Sequence, residues 1–144
     1  MPTALLTMGI RRKGRELALQ LLYQADVTCD PSPAALELAL SRSSGSDRTK
    51  DFARRLVRGV LEHRVEIDRI LAESSRNWRL GRMAKVDLNI LRIATYEMLH
   101  CPDIPLNVSI DEALEVSKRY GSEESPPFIN GVLDQVAVAS GAKQ

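Results

Sequence analysis

Arg11-Arg12-Lys13-Gly14-Arg15-Glu16-Leu17-Ala18-Leu19-Gln20-Leu21-Leu22-Tyr23-Gln24-Ala25-Asp26-Val27 is the stretch that decides the fold class. Leu17, Leu21 and Ala25 recur every four residues, with Ala18 and Leu22 beside them, the stripe of an amphipathic helix. The same period runs through the rest of the chain. Pro33 to Arg42 reads as a short helix, because proline is tolerated in a first turn. The polar residues 41–46, with Gly45, read as a loop. A long helix is expected over 47–74, burying Phe52, Leu56, Val60, Ile67 and Leu71, with Arg54, Arg55, Arg58 and Glu62 outside that stripe. Residues 75–81 read as a short turn or one-turn helix.

Further along, Ala84 to His100 forms a helix with Val86, Ile90, Ile93 and Ala94 inward, ended by Pro102 and Pro105. Ser109-Ile110-Asp111-Glu112 has the form of a capping box, which predicts a helix from there to Tyr120 and a left-handed stop at Gly121. A last helix starts at Ser125-Pro126 and carries Phe128, Val132 and Val136 on one face. No segment alternates as a strand would. The expected fold is all-α, with about seven helices, six substantial and one short, in two packed subdomains over about 11–80 and 81–140. Residues 1–10 are expected to be a flexible leader.

The 144 residues suit one domain or two small subdomains sharing a core. Aromatics make up only 4%, so Leu, Val, Ile and Ala must supply that core. Cys29 and Cys101 stand far apart and form no ligand spacing, which favours a reduced, cytoplasmic compartment over a disulfide framework. No apolar run approaches the ~18 residues that cross a membrane. In the leader the basic residues follow the apolar run, the wrong order for a secretory signal.

Net charge is only +1, so overall charge does not point to nucleic acid. Its distribution does. Arg11, Arg12, Lys13 and Arg15 place four cations in five residues at an expected helix start, where the helix dipole disfavours them. A phosphate backbone would offset them, and a solvated, fraying terminus is the plainer alternative. Tyr23, Tyr120 and Phe128 are the aromatics available to stack unpaired bases, although each also suits a half-buried core position. Catalytic signals are poor: His63 and His100 read as surface histidines, and no phosphate loop, dinucleotide fingerprint or metal-ligand spacing occurs. Neither enzymatic activity nor a cofactor or metal is expected.

Several segments together resemble the NusB family over nearly all of 11–138. They are Arg11-Arg12-Lys13-Gly14-Arg15-Glu16 with Ala18-Leu19-Gln20-Leu21-Leu22-Tyr23, then Phe52-Ala53 with Leu56-Val57-Arg58-Gly59-Val60. Next come Leu91-Arg92-Ile93-Ala94-Thr95-Tyr96-Glu97-Met98 and Ile104-Pro105 leading to Ile110-Asp111-Glu112-Ala113. Last is Phe128-Ile129-Asn130-Gly131-Val132-Leu133-Asp134. The resemblance implies two helical subdomains in one body and a factor in transcription antitermination and termination. Such a factor binds the boxA element of nascent RNA with NusE, a small-subunit ribosomal protein. It joins the antitermination complex on RNA polymerase, notably on ribosomal RNA operons.

By the same resemblance, Arg11, Arg12, Lys13 and Arg15 match the arginine-rich RNA-binding start of the family. Tyr120, Glu124 and Phe128 match a second part of its RNA surface, and Asp87 falls where the family meets NusE. Pro126-Pro127 just before Phe128, and the residues ahead of Arg11, depart from the pattern and bear on individual contacts. Two other readings compete. One is the similar helical module that precedes ribosomal RNA cytosine methyltransferases, which would need a catalytic domain after Gln144. The other is a protein-interaction scaffold or homodimer with a masked basic arm.

Overall fold

The computed structural model describes residues 3–76 and 78–141, with side chains from residue 9 onward. Helix α1 spans Thr3–Thr28, α2 Pro33–Arg42, α3 Asp47–Glu62 and α4 Arg64–Ser74. After a 3-10 turn at Leu80–Arg82 come α5 (Lys85–His100), α6 (Leu106–Tyr120) and α7 (Ser125–Ala139). No strand occurs among the described residues, and no helix there is long and apolar enough to cross a membrane. Local chemistry explains several starts. Ser32 and Ser46 each accept a hydrogen bond from the backbone N–H three residues on, capping α2 and α3. Pro33 and Pro126 sit in first turns, where their missing N–H costs nothing.

Helix α5 lies at the centre and touches α1, α3, α4, α6 and α7. Its residues are buried on several sides, including the polar Asn89, Arg92, Thr95 and Glu97. A buried charge is costly unless paired, and Arg92 and Glu97 are paired, as is the Asn89 amide, while the Thr95 hydroxyl has no hydrogen-bond partner among the described residues. Arg92 makes a two-point contact with Asp68 of α4 at 2.9 and 3.0 Å, while Asn89 donates to Asp26 of α1 at 2.9 Å. Glu97 holds Arg15 of α1 and Ser109 of α6. The apolar core from Leu17 to Val136 closes around these ties.

Three expectations need correcting. The single helix over 47–74 is broken at His63, whose φ of −105° and ψ of 18° leave the helical region. The break lets α3 stay against α1 and α5 while α4 turns to pack on α5 and α7, across the expected boundary at 80/81. Ser109 and Glu112 do not form a capping box: α6 already begins at Leu106, Ser109 donates to Glu97, and Glu112 accepts from Arg12. Gly121 is extended (φ −94°, ψ −169°), not left-handed. A Cβ there would lie 2.5 Å from Ser125 Oγ, so close approach is what selects glycine. Residues 1 and 2 of the expected leader lie outside the described residues, and the backbone of α1 begins at Thr3.

Candidate nucleic-acid interface

Because α1 begins at Thr3, the basic cluster sits in mid-helix, beyond the first turn to which the dipole's effect is confined. The dipole argument for a bound anion therefore falls away. Mid-helix placement has a second consequence: successive side chains point 100° apart, so the four cations do not share one face. Arg15 points inward. It is 3% exposed, and its Nη2 and Nε donate to the two oxygens of Glu97 at 2.7 and 3.0 Å. Its guanidinium also lies 5.4 Å from the centre of the Phe52 ring. Arg15 is a core residue and does not reach a ligand on the surface, against the sequence expectation.

The other three cations are accessible to different degrees. Arg11 lies over Phe52 and donates to Asp103 at 3.3 Å. Asp103 also takes two hydrogen bonds from Arg55, at 2.6 and 3.1 Å. These hydrogen bonds and the charge of Arg55 hold its carboxyl down at about 2. Arg12 donates through Nε and Nη2 to Glu112, whose side chain is only 7% exposed, while the Arg12 side chain is 45% exposed. Guanidinium carries five donors, so three are left over from the contact with Glu112. Lys13 is exposed and has no acceptor within reach among the described residues. It edges a groove between α1 and the loop 43–45, floored by Leu17 and Gln20.

The seam between α1 and α6 brings Tyr120 to this rim. Its hydroxyl donates to Glu16 at 2.9 Å, and burial followed by that hydrogen bond pushes its pKa up. Arg119 also reaches Glu16 at 3.1 Å, and its guanidinium lies 5.5 Å from the Tyr120 ring centre. Arg119 was missed by sequence reasoning, although Lys118-Arg119 directly precedes a stacking candidate. Tyr23 is exposed at 43%. The 4,7 spacing of Arg12, Glu16 and Tyr23 puts it on the same stripe of α1, about 10 Å beyond Glu16 along the axis.

Asp87, Glu124 and Phe128 gather in a second place, with Trp78 and Arg82, around a hollow of about 150 Å³. Phe128 is half-buried and meets Trp78 edge to face, with ring centres 5.8 Å apart. Oδ1 of Asp87 is buried without a hydrogen-bond partner, an acceptor waiting for a donor. Trp78 and Arg82 were not foreseen, and the chemistry of the hollow is an aromatic floor edged by two carboxylates and one cation. The expected site thus divides: Arg12, Lys13 and Tyr120 lie around Glu16 at the α1–α6 rim with Tyr23 farther along, Arg11 turns to Asp103, and Asp87, Glu124 and Phe128 line the hollow.

A model of the NusB family matches residues 12–138, from the rim cation Arg12 to the end of α7. The chain belongs to the NusB family. The transcription antitermination protein NusB of Geobacter sulfurreducens is 56% identical over 131 residues, covering 90% of this chain and 95% of that protein. NusB of Myxococcus xanthus is 49% identical over 136 residues, covering 92% and 97%. Among solved structures, NusB of T. maritima superposes with a TM-score of 0.80 at 38% identity, covering 89% of this chain and 90% of its own. The NusB fold also recurs, with a TM-score of 0.79 at 24% identity, in a crystal structure of antitermination factors NusB and NusE in complex with double-stranded RNA, covering 92% and 98%. The NusB relatives named here are transcription factors, and the all-helical NusB architecture is the one expected from the sequence.

Proposed function

We propose that this chain is a transcription antitermination and termination factor that binds boxA RNA together with NusE. In this reading it works in the cytoplasm, within the antitermination complex on RNA polymerase, notably on ribosomal RNA operons. The observation that carries the reading is the α1–α6 rim: exposed Lys13, the partly exposed Arg12 with donors to spare, and Arg119 beside Tyr120, on a chain 56% identical to an antitermination protein. Exposed ion pairs such as Arg11–Asp103 are worth only about 0–1 kcal/mol, so a phosphate displaces the carboxylate at little cost. Arg12 acts differently: Glu112 keeps two of its donors and holds the guanidinium in place while the rest meets phosphate. Tyr120 and Phe128 offer ring faces to bases, and Glu124 accepts base N–H groups, setting specificity more than affinity. Asp87, with its unpartnered oxygen, faces NusE.

The test is fluorescence anisotropy of a labelled boxA RNA, against a scrambled RNA and a duplex, with and without NusE. Preferential binding that tightens with NusE is expected. Equal, weak binding to all three RNAs with no response to NusE would remove the reading. A homodimer with a masked rim remains the second reading, favoured by Tyr23, Val27 and Leu38, apolar side chains exposed at 43%, 59% and 52%. Sizing chromatography separates the two: a dimer that binds RNA only on dissociation would favour masking.

A further inference from the structure

Among the described residues, one cluster of chemistry-bearing side chains stands apart from both the rim and the hollow. His63 stands at the break between α3 and α4, Glu66 one turn into α4, and His100 at the last residue of α5. His100 Nε2 lies 2.6 Å from Glu66 Oε1, and His63 Nδ1 lies 3.9 Å from the same oxygen. The two imidazoles stack with centres 3.9 Å apart and planes 20° apart. One ligand atom from each of the three residues falls within 4.8 Å of the others. All three side chains are about a third exposed, so water reaches the cluster from one side.

The surroundings hold the cluster together. Tyr96 lies behind both rings, 6.0 Å from His63 and 5.7 Å from His100 between centres. Gly59 makes room for it, because a Cβ there would fall 2.0 Å from the Tyr96 ring.

We propose that His63, Glu66 and His100 form a binding site for a divalent transition-metal ion of the zinc type. Two neutral imidazoles and one carboxylate are a donor set that zinc takes, and an open water-facing side supplies the fourth ligand. Zn–N bonds of 2.0–2.1 Å require ligand atoms about 3.3 Å apart in a tetrahedron. The present spacings bracket that value. Binding replaces the His100–Glu66 hydrogen bond: Nε2 of His100 gives its lone pair to the ion with the ring proton carried on Nδ1, and the two rings turn out of their stack about χ2. Both rings sit at helix ends, His63 at the α3–α4 break and His100 at the last residue of α5. Bridging the α3–α4 break to the end of α5, the ion would fix α4 against the end of α5.

The chain has only two histidines, which makes the test clean. Zinc chloride is titrated into the full chain by calorimetry, with long-range imidazole 1H–15N spectra recorded alongside. One equivalent is expected to bind, with one ring nitrogen of each histidine changing from its metal-free position. His63→Gln and His100→Gln should each weaken binding by at least about tenfold, while Cys29→Ser, which removes the exposed thiol, should leave it unchanged. Unperturbed imidazole spectra of the wild-type chain at saturating zinc would overturn the proposal. So would one-equivalent binding that survives in the double histidine variant or disappears in Cys29→Ser.

Discussion

Replacing Arg15 with Ala separates the two roles open to a cation in the basic cluster. Its guanidinium is 4% exposed and makes a two-point contact with Glu97, itself 1% exposed. Removing Arg15 strands a buried carboxylate whose remaining partner is the Ser109 hydroxyl. Breaking a buried pair from one side typically costs about 3–5 kcal/mol. In a chain of this size that lowers the melting temperature by roughly 10–15 °C. The assay is thermal and urea unfolding by circular dichroism at pH 7. Arg15→Met combined with Glu97→Met should recover most of the loss, because an apolar pair of similar volume removes the stranded charge; the orphaned Ser109 hydroxyl keeps about 1 kcal/mol of it. RNA binding measured well below the lowered midpoint should keep its salt dependence. An Arg15→Ala protein of wild-type stability with a flattened salt dependence would refute the reasoning and return Arg15 to the RNA surface.

Three further sites are expected to respond to substitution. Asp103→Asn should free Arg11 and Arg55 and tighten RNA binding at low salt; weaker binding would show that the carboxylate positions the arginines instead. The same variant tests pH dependence. The Asp103 carboxyl is depressed to about 2 in the folded chain, so its stabilisation is present above the unfolded value near 4 and lost as pH falls through 2. The wild-type acid limb between pH 4 and 2 should therefore be steeper than that of Asp103→Asn in pH-dependent urea unfolding. Tyr120→Phe should cost about 1 kcal/mol of stability by losing the bond to Glu16 and keep RNA affinity, whereas Tyr120→Ala should weaken RNA binding by about 1–3 kcal/mol in anisotropy titrations. Gly59→Ala should destabilise by about 1–3 kcal/mol on denaturant unfolding, despite the helix preference of alanine, because its Cβ would overlap Tyr96.

The helices were legible because their apolar stripes keep the 3.6 period: Leu17, Leu21, Phe52, Leu56, Val60, Ile67 and Leu71 are all buried as read. The break at His63 was hidden because the stripe runs on from Val60 to Ile67 and no proline or glycine marks it. Ser109 and Glu112 were misread because their partners, Glu97 and Arg12, are far away in sequence. Arg15 did carry a local signal. It stands three, four and seven residues before Ala18, Leu19 and Leu22, all buried, so its place on an inward stripe outranked its membership of a basic run. The α1–α6 rim was half legible: the cations and Tyr120 stood out, while the contribution of Arg119 depends on how α6 packs. The histidine cluster was invisible, since His63 and His100 meet only when α5 closes on the α3–α4 break.

The central claim is that the α1–α6 rim contacts the RNA backbone, and the salt dependence of binding tests it most directly. The affinity for boxA RNA is measured with NusE over a range of salt concentrations, for the wild-type chain and for Arg12→Ala, Lys13→Ala, Arg119→Ala combined. Each phosphate contact contributes about −0.7 to the log–log slope on a single strand, so the triple variant should be flatter by about two units. An unchanged slope, with the variant folded, would contradict the account and move the RNA off this surface.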